Sequence, residues 1–237
     1  MNLKPDAQKF ADEILRRKIT SLVHFTPALN LTSIFEGGEI ISRQRLDLLR
    51  KDAPQLHLDD YVELNDAIRL DGRPDYINLS VQFPNFRLFE RFRQKHRDDV
   101  DAWAIILIKP VCIQWNDTLF SVYNAASRCA KDQGIGGSFQ HFQQMFKNNL
   151  SLYNQSSSWV EMRTGLAECY PTSIQAEVLV KTRIPNECIT SIVFQSAELA
   201  GRYRAAAGIF GDTSSIPFIA NAELFGRARA QEALNGI

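Results

Sequence analysis

The run Tyr170-Pro171-Thr172-Ser173-Ile174-Gln175-Ala176-Glu177-Val178-Leu179-Val180-Lys181 sets a carboxylate inside a segment whose other residues call for burial. Gln175 to Lys181 reads as a strand. An unpaired carboxylate in apolar surroundings is costly. Glu177 therefore either points outward on an edge strand or lines a cleft where its charge has a use. Beyond the turn at Pro185-Asn186 the next apolar run, Ile189 to Phe194, gives a second strand. Trp103 to Ile108 is uninterrupted in apolar character, as in a strand covered on both faces, and is a candidate for the centre of the sheet. Ser21 to Phe25 and Tyr76 to Ser80 add two short strands, and Ile40-Ile41 a further extended stretch.

Helices lie between these strands. Asp6 to Arg17 places Phe10, Ala11, Ile14 and Leu15 on one face at helical spacing. Pro27 to Glu36 ends at Gly37-Gly38, and glycine suits the position after a helix C-terminus. Pro84 to His96 turns Phe86, Phe89 and Phe92 inward and leaves Arg87, Arg91, Arg93, Lys95 and Arg97 outside. Phe139 to Phe146 and Ala197 to Ala207 complete the set. Leu46 to Asp75 has few apolar anchors and reads as a long ordered loop or short helices. Asn116 to Tyr170 is the least regular stretch, and Phe218 to Ala230 carries no definite signal. Short strands interleaved with unequal helices, without a regular βαβ repeat, define an α+β class and a single domain over residues 1–237.

Composition narrows the function. Lys plus Arg and Asp plus Glu stand at 27 each, so no global field draws the chain to nucleic acid or an anionic membrane, and any such binding is local. The four cysteines, Cys112, Cys129, Cys169 and Cys188, are too dispersed for a zinc site or a secreted scaffold and read as buried thiols. No apolar run reaches the roughly 18 residues of a spanning helix, and the charged start lacks a signal-peptide core, so a cytoplasmic location is expected. The glycine signatures of nucleotide folds, the serine-hydrolase elbow and the H-E-x-x-H zinc helix are all absent; Gly134-Ile135-Gly136-Gly137 lacks the lysine and the preceding strand of a phosphate loop. Polar residues stand against the local pattern at three places. His24 ends the run Leu22-Val23-His24-Phe25-Thr26, as a satisfied core histidine or as a cleft residue. Asn65-Asp66 and Arg69 precede a strand, as a solvated loop or as a phosphate-binding group. Glu177 is the third.

Four blocks taken together, H-F-T followed by N-L-x-x-I-F-x-x-G, then N-D-x-x-R-L-D-G-x-P-D-x-I-N-L-S-x-x-F-P-N, then Y-P-T-x-x-Q-A-E-V-L-V, resemble the DarT family over about residues 20–195. Members are toxins of the ADP-ribosyltransferase superfamily that modify single-stranded DNA. The resemblance implies a split mixed or antiparallel β core flanked by helices, NAD as co-substrate and no metal. It implies that Glu177 is the catalytic glutamate, beside a cation like that of glycoside cleavage. His24 with Thr26 matches the cofactor-binding histidine motif, Asn30 opens the helix beneath it, and Ser80 joins the cofactor side. Arg69 matches the active-site arginine with Asn65 beside it, and Arg73 is a nearby competitor. DNA contact is expected from the loop ahead of the glutamate strand, through Tyr153, Trp159, Arg163 and Tyr170, with the basic helix Arg87 to Arg97 as an alternative. Tyr123-Asn124-Ala125-Ala126-Ser127 resembles a stretch of the branch that modifies guanine rather than thymine. A toxin of a toxin–antitoxin or phage-defence locus, opposed by a DarG-like macrodomain antitoxin, is the expected setting. A silent NAD or nucleic-acid binder on the same fold, and an enzyme acting on RNA or protein, are the competing readings.

Overall fold

The computed structural model describes residues 1–52 and 71–226. In chain order its helices are α1 (Ala7–Arg17), α2 (Asn30–Gly37), α3 (Arg43–Asp52), α4 (Phe86–Lys95), α5 (Arg128–Gln133), α6 (Phe139–Gln144) and α7 (Ala197–Phe210). Its strands are β1 (Leu22–Pro27), β2 (Glu39–Ile41), β3 (Tyr76–Val81), β4 (Trp103–Ile108), β5 (Leu119–Ser121), β6 (Asn149–Tyr153), β7 (Ser158–Met162), β8 (Glu177–Lys181), β9 (Arg183–Pro185), β10 (Ile189–Phe194) and β11 (Phe218–Ala220). Seven of them form one sheet in the order β11-β10-β4-β1-β3-β8-β5. Its described neighbours are antiparallel apart from β10 with β11. Sequence-distant strands thus meet in an α+β arrangement, as expected.

Successive apolar residues of the inner strands alternate between two cores, because side chains change face at every residue of a strand. Leu22, Leu79, Ile106, Val178 and Ile192 enter a large core with Phe10 and Ile14 of α1, Leu31 of α2 and Tyr203 of α7. Val23, Ile105 and Val193 enter a smaller one on the other face with Phe89 of α4 and Trp103. Serine and asparagine side chains start the helices: Asn85 accepts from the Leu88 N–H, Ser127 from Ala130, Ser138 from His141 and Ser196 from Leu199.

Of the stretch Leu46 to Asp75, read as a long ordered loop or short helices, residues 46–52 are helical as the end of α3 and residues 53–70 lie outside the described ones. The structure departs from the sequence reading in three places. The sheet centre falls on β1, with β4 beside it. Leu15 is 79% exposed, because the face that α1 buries runs through Phe10, Glu13, Ile14 and Arg17, with Arg17 packed over the Phe146 ring. The least regular stretch holds a complete hairpin, β6 paired with β7 from Asn149↔Met162 to Tyr153↔Ser158. Its turn is built by Asn154, whose side-chain oxygen accepts from the Ser156 and Ser157 N–H groups.

Candidate functional site

The sheet opens beside β1. On one side β1 pairs with β4 over six positions, Leu22↔Ile108 through Pro27↔Trp103. On the other it pairs with β3 over two, Leu22↔Val81 and Val23↔Ser80. Gln82 pins the closed end: its side-chain oxygen accepts from the N–H groups of Thr20 (2.7 Å) and Ser21 (2.9 Å). Where the strands part, the His24 imidazole takes over, with Nδ1 3.2 Å from the Asn78 carbonyl oxygen. His24 is half-buried, and its bond to Asn78 bridges β1 and β3 beyond their last paired position.

Glu177 is the first residue of β8 and is 4% exposed. It is not on an edge strand, because β5 lies outside β8 with Ser121 opposite Glu177. The β3–β8 register reaches Leu79↔Val178, and one further position sets Glu177 beside Ser80, which itself faces Val23. Val23, Ser80, Glu177 and Ser121 therefore form one row across the sheet. The Ala125 N–H donates to Glu177 Oε2 at 2.7 Å, a short charge-assisted bond that fixes the direction of the carboxylate. Ala125 lies in the loop between β5 and α5, within the Tyr123–Ser127 stretch. The same loop also holds the segment just ahead of β8: the Gln175 amide, two residues before Glu177, donates to the Tyr123 hydroxyl. Ser121 Oγ donates to the Tyr123 carbonyl at 2.6 Å and stiffens the turn.

Asn30 Nδ2 donates to Thr26 Oγ1 at 2.8 Å and so ties the start of α2 to the end of β1. Ser80 Oγ accepts from the Asn85 N–H at 3.1 Å and is buried. Asn85, the residue before α4, is 2% exposed, and its Nδ2 has no hydrogen-bond partner among the described residues, which suits it to donate to a polar group of a bound molecule. Sequence reasoning passed over Asn85 and the Ala125 N–H; the first was visible inside F-P-N, the second has no side-chain signature. Asn65 and Arg69 lie outside the described residues.

The four residues expected to meet DNA fall into separate groups. Trp159 of β7 meets the Tyr123 ring edge-on at 6.2 Å, next to the Gln175 contact. Tyr153, one register position nearer the hairpin turn and on the alternate face, gives its hydroxyl to Asp132 of α5. Arg163 turns inward, donating to the carbonyls of Ala167 (2.9 Å), Glu168 (3.0 Å) and Tyr170 and packing over Phe146. Tyr170 packs with Phe83, Phe86 and Ile174. On the alternative basic helix, Arg93 is taken up by the Phe225 carbonyl at 3.1 Å and by the Phe89 ring. Among the described residues no three His, Cys, Asp or Glu side chains gather as a metal site, and no helix is long and apolar enough to cross a membrane.

The sheet thus opens beside the histidine-bearing β1, with the buried carboxylate of Glu177 starting a strand two places away. The chain belongs to the DarT family, described as single-stranded-DNA thymidine ADP-ribosyltransferases, whose family model matches residues 23–216. Solved structures share this fold. A DarT of Thermus sp. 2.9 in complex with NAD+ aligns at 12% identity and TM-score 0.55 over 88% of this chain and 98% of its own. The same protein in complex with ADP-ribosylated single-stranded DNA aligns at 11% identity and TM-score 0.53, over 88% of this chain and 97% of its own. A Thermosipho africanus DarTG in complex with ADP-ribose aligns at 18% identity and TM-score 0.50, over 87% of this chain. This chain spans about half, 51%, of that longer protein. Among curated proteins, no sequence matches.

Proposed function

We propose that this enzyme transfers ADP-ribose from NAD to a base of single-stranded DNA, with guanine as the acceptor. The observation that carries the reading is Glu177: a buried carboxylate, aimed by the Ala125 N–H, standing in one row with Ser80 at the edge of the opening that His24 lines. The nicotinamide–ribose bond breaks with its electron pair going to the nicotinamide nitrogen. Positive charge develops on the sugar, and a carboxylate held beside it lowers the barrier. A base nitrogen forms the new bond to the anomeric carbon and gives up its proton, for which Glu177 is the acceptor within reach. Nicotinamide and the proton leave.

His24, Thr26, Asn30 and Ser80 form the co-substrate side, with the orphaned Asn85 amide as an added donor for a polar group of NAD. Asn65 and Arg69 are assigned to it from the sequence alone, the guanidinium suiting the pyrophosphate. Trp159 and Tyr153 are the aromatic contacts for unpaired bases, whereas Arg163 and Tyr170 contribute by shaping the segment that leads to β8. The Thermus complexes with NAD+ and with ADP-ribosylated single-stranded DNA support the reaction. The family description names thymidine; guanine rests on the Tyr123–Ser127 resemblance. A toxin acting in the cytoplasm and opposed by a macrodomain antitoxin is proposed from the same kinship.

The test is mass spectrometry of single-stranded oligonucleotides, varied one base at a time, after incubation with NAD. A mass gain of one ADP-ribose on guanine-bearing strands, abolished in Glu177→Ala, is the expected outcome. Gain on RNA or protein alone, or the same product from Glu177→Ala, would overturn the proposal.

A further inference from the structure

A second group of side chains lies next to the catalytic row, with Tyr123 and Trp159 packed on one side against the small core of Val122, Cys129, Leu150 and Leu152. Tyr123, Trp159, Glu161 and Gln175 come from the loop after β5, from β7 and from the approach to β8, and all four are partly exposed. Tyr123 receives the Gln175 amide at its hydroxyl and meets Trp159 edge-on at an interplanar angle of 68°. Trp159 Nε1 donates to Glu161 Oε1 at 3.4 Å. Burial, then the Glu161 charge, push the Tyr123 hydroxyl pKa up, and Arg87 of α4 opposes them. One short loop therefore fixes both ends of Gln175-Ala176-Glu177: Tyr123 holds the glutamine and the Ala125 N–H holds the glutamate. Whatever rests on the Tyr123–Trp159 pair is two residues from the carboxylate.

We infer that this cluster is the acceptor pocket, in which Tyr123 and Trp159 support the base and Glu161 reads its edge. The inference rests on the proposed transfer to a DNA base and names the residues that select it. Aromatic faces on adjoining elements suit an unstacked base, which brings no pairing partner of its own. A carboxylate only accepts hydrogen bonds. The pairing edge of guanine presents a ring N–H next to an amino group, two donors that match the two carboxylate oxygens. The pairing edge of thymine presents one N–H between two carbonyl oxygens, which a carboxylate repels. Glu161 thus favours guanine, and Tyr123 is a positioning residue that keeps Gln175 and the glutamate strand in register with the bound base.

Binding and turnover together test this. Trp103 and Trp115 are buried, so quenching of fluorescence by an oligonucleotide reports on Trp159. In a Glu177→Gln background, a guanine-bearing single strand is expected to quench more strongly than its thymine counterpart, and adding Glu161→Gln is expected to erase the difference. In the active enzyme, Glu161→Gln should lower the guanine-over-thymine ratio of kcat/KM about tenfold. The oligonucleotide KM should rise while the KM for NAD stays in place. Tyr123→Phe should lower kcat on DNA and keep the base ratio. An unchanged base ratio in Glu161→Gln, or quenching indifferent to the base, would overturn the pocket even where transfer to DNA is observed. Selective quenching lost in Glu161→Gln would sustain it even if the wild type transferred nothing to DNA, in which case the proposed reaction alone would fail.

Discussion

Glu13 of α1 and Glu177 of β8 are both buried carboxylates, at 9% and 4% exposure, and the fold treats them differently. Both oxygens of Glu13 are taken by guanidinium groups: Arg17 Nε lies 2.7 Å from Oε1, and Arg16 bridges Oε1 and Oε2 at 2.8 Å each. Arg17 then reaches Glu168 at 3.2 Å and stacks over Phe146 at 4.0 Å, so this acid anchors the segment that precedes β8 to the first helix. Glu177 is oriented instead by a backbone N–H at the start of a strand. An ion pair holds a chain together, whereas a peptide N–H fixes the direction of a charge. The difference separates an acid tied to two arginines of its own helix from one whose proposed role is in turnover.

Exchanging each acid for its amide should split the two roles, and the largest effect is expected at Glu177. Glu177→Gln should slow transfer about 10²–10³-fold. Its thermal midpoint should stay near the wild-type value, because the amide oxygen still accepts from Ala125; a collapse in stability would assign Glu177 to the fold instead. Next in size, Glu13→Gln should lower the unfolding free energy at pH 7 by about 2 kcal/mol, with the turnover of the folded fraction retained. The hydrogen bond from Arg16, aided by Arg17, holds the Glu13 pKa below its ordinary 4.5. The folded state therefore binds fewer protons than the unfolded one as the acid titrates. Its stabilisation is complete above pH 4.5 and is lost as the pH falls through the folded-state value. Urea titrations of wild type and Glu13→Gln should accordingly converge at low pH; a gap that persists there would sink the ion-pair account.

Smaller effects sharpen the contrast. Ser80→Ala removes the acceptor for the Asn85 N–H and should cost about 1 kcal/mol, together with a raised KM for NAD in steady-state assays. A KM that stays put would take Ser80 off the co-substrate side. Least of all, Leu15→Gln on the exposed face of α1 should move the melting free energy by no more than about 0.5 kcal/mol; a larger loss would mean that the helix packs differently in solution.

The long apolar runs were readable before folding: β1, β3, β4, β8 and β10 fall on or within a few residues of the stretches that the pattern marks. The three-residue strands β5, β9 and β11 carry too little pattern to be seen, whereas the equally short β2 showed through Ile40-Ile41. The hairpin was hidden although Leu150 and Leu152 alternate with exposed neighbours, because the serines and asparagines around it read as loop. Leu15 misled because its spacing fits a helix face that Arg17 occupies instead. Within the candidate site, Glu177 and His24 stood out as residues, Thr26, Asn30 and Ser80 came with the family resemblance, and their partners did not stand out. Asn78 meets His24 through a carbonyl and Ala125 meets Glu177 through an amide, and every residue but proline has the same two groups.

The sequence by itself determined that an acid would sit in a strand otherwise made for burial, and its four ordered blocks determined the family. Only the tertiary structure decided that β1 leaves β3 after two pairs, that Glu177 falls beside Ser80, and that a loop 52 residues away aims the carboxylate. The physical reason is range. Burial preference is written into neighbouring side chains, whereas strand register and backbone donors are set by which distant segments close on one another.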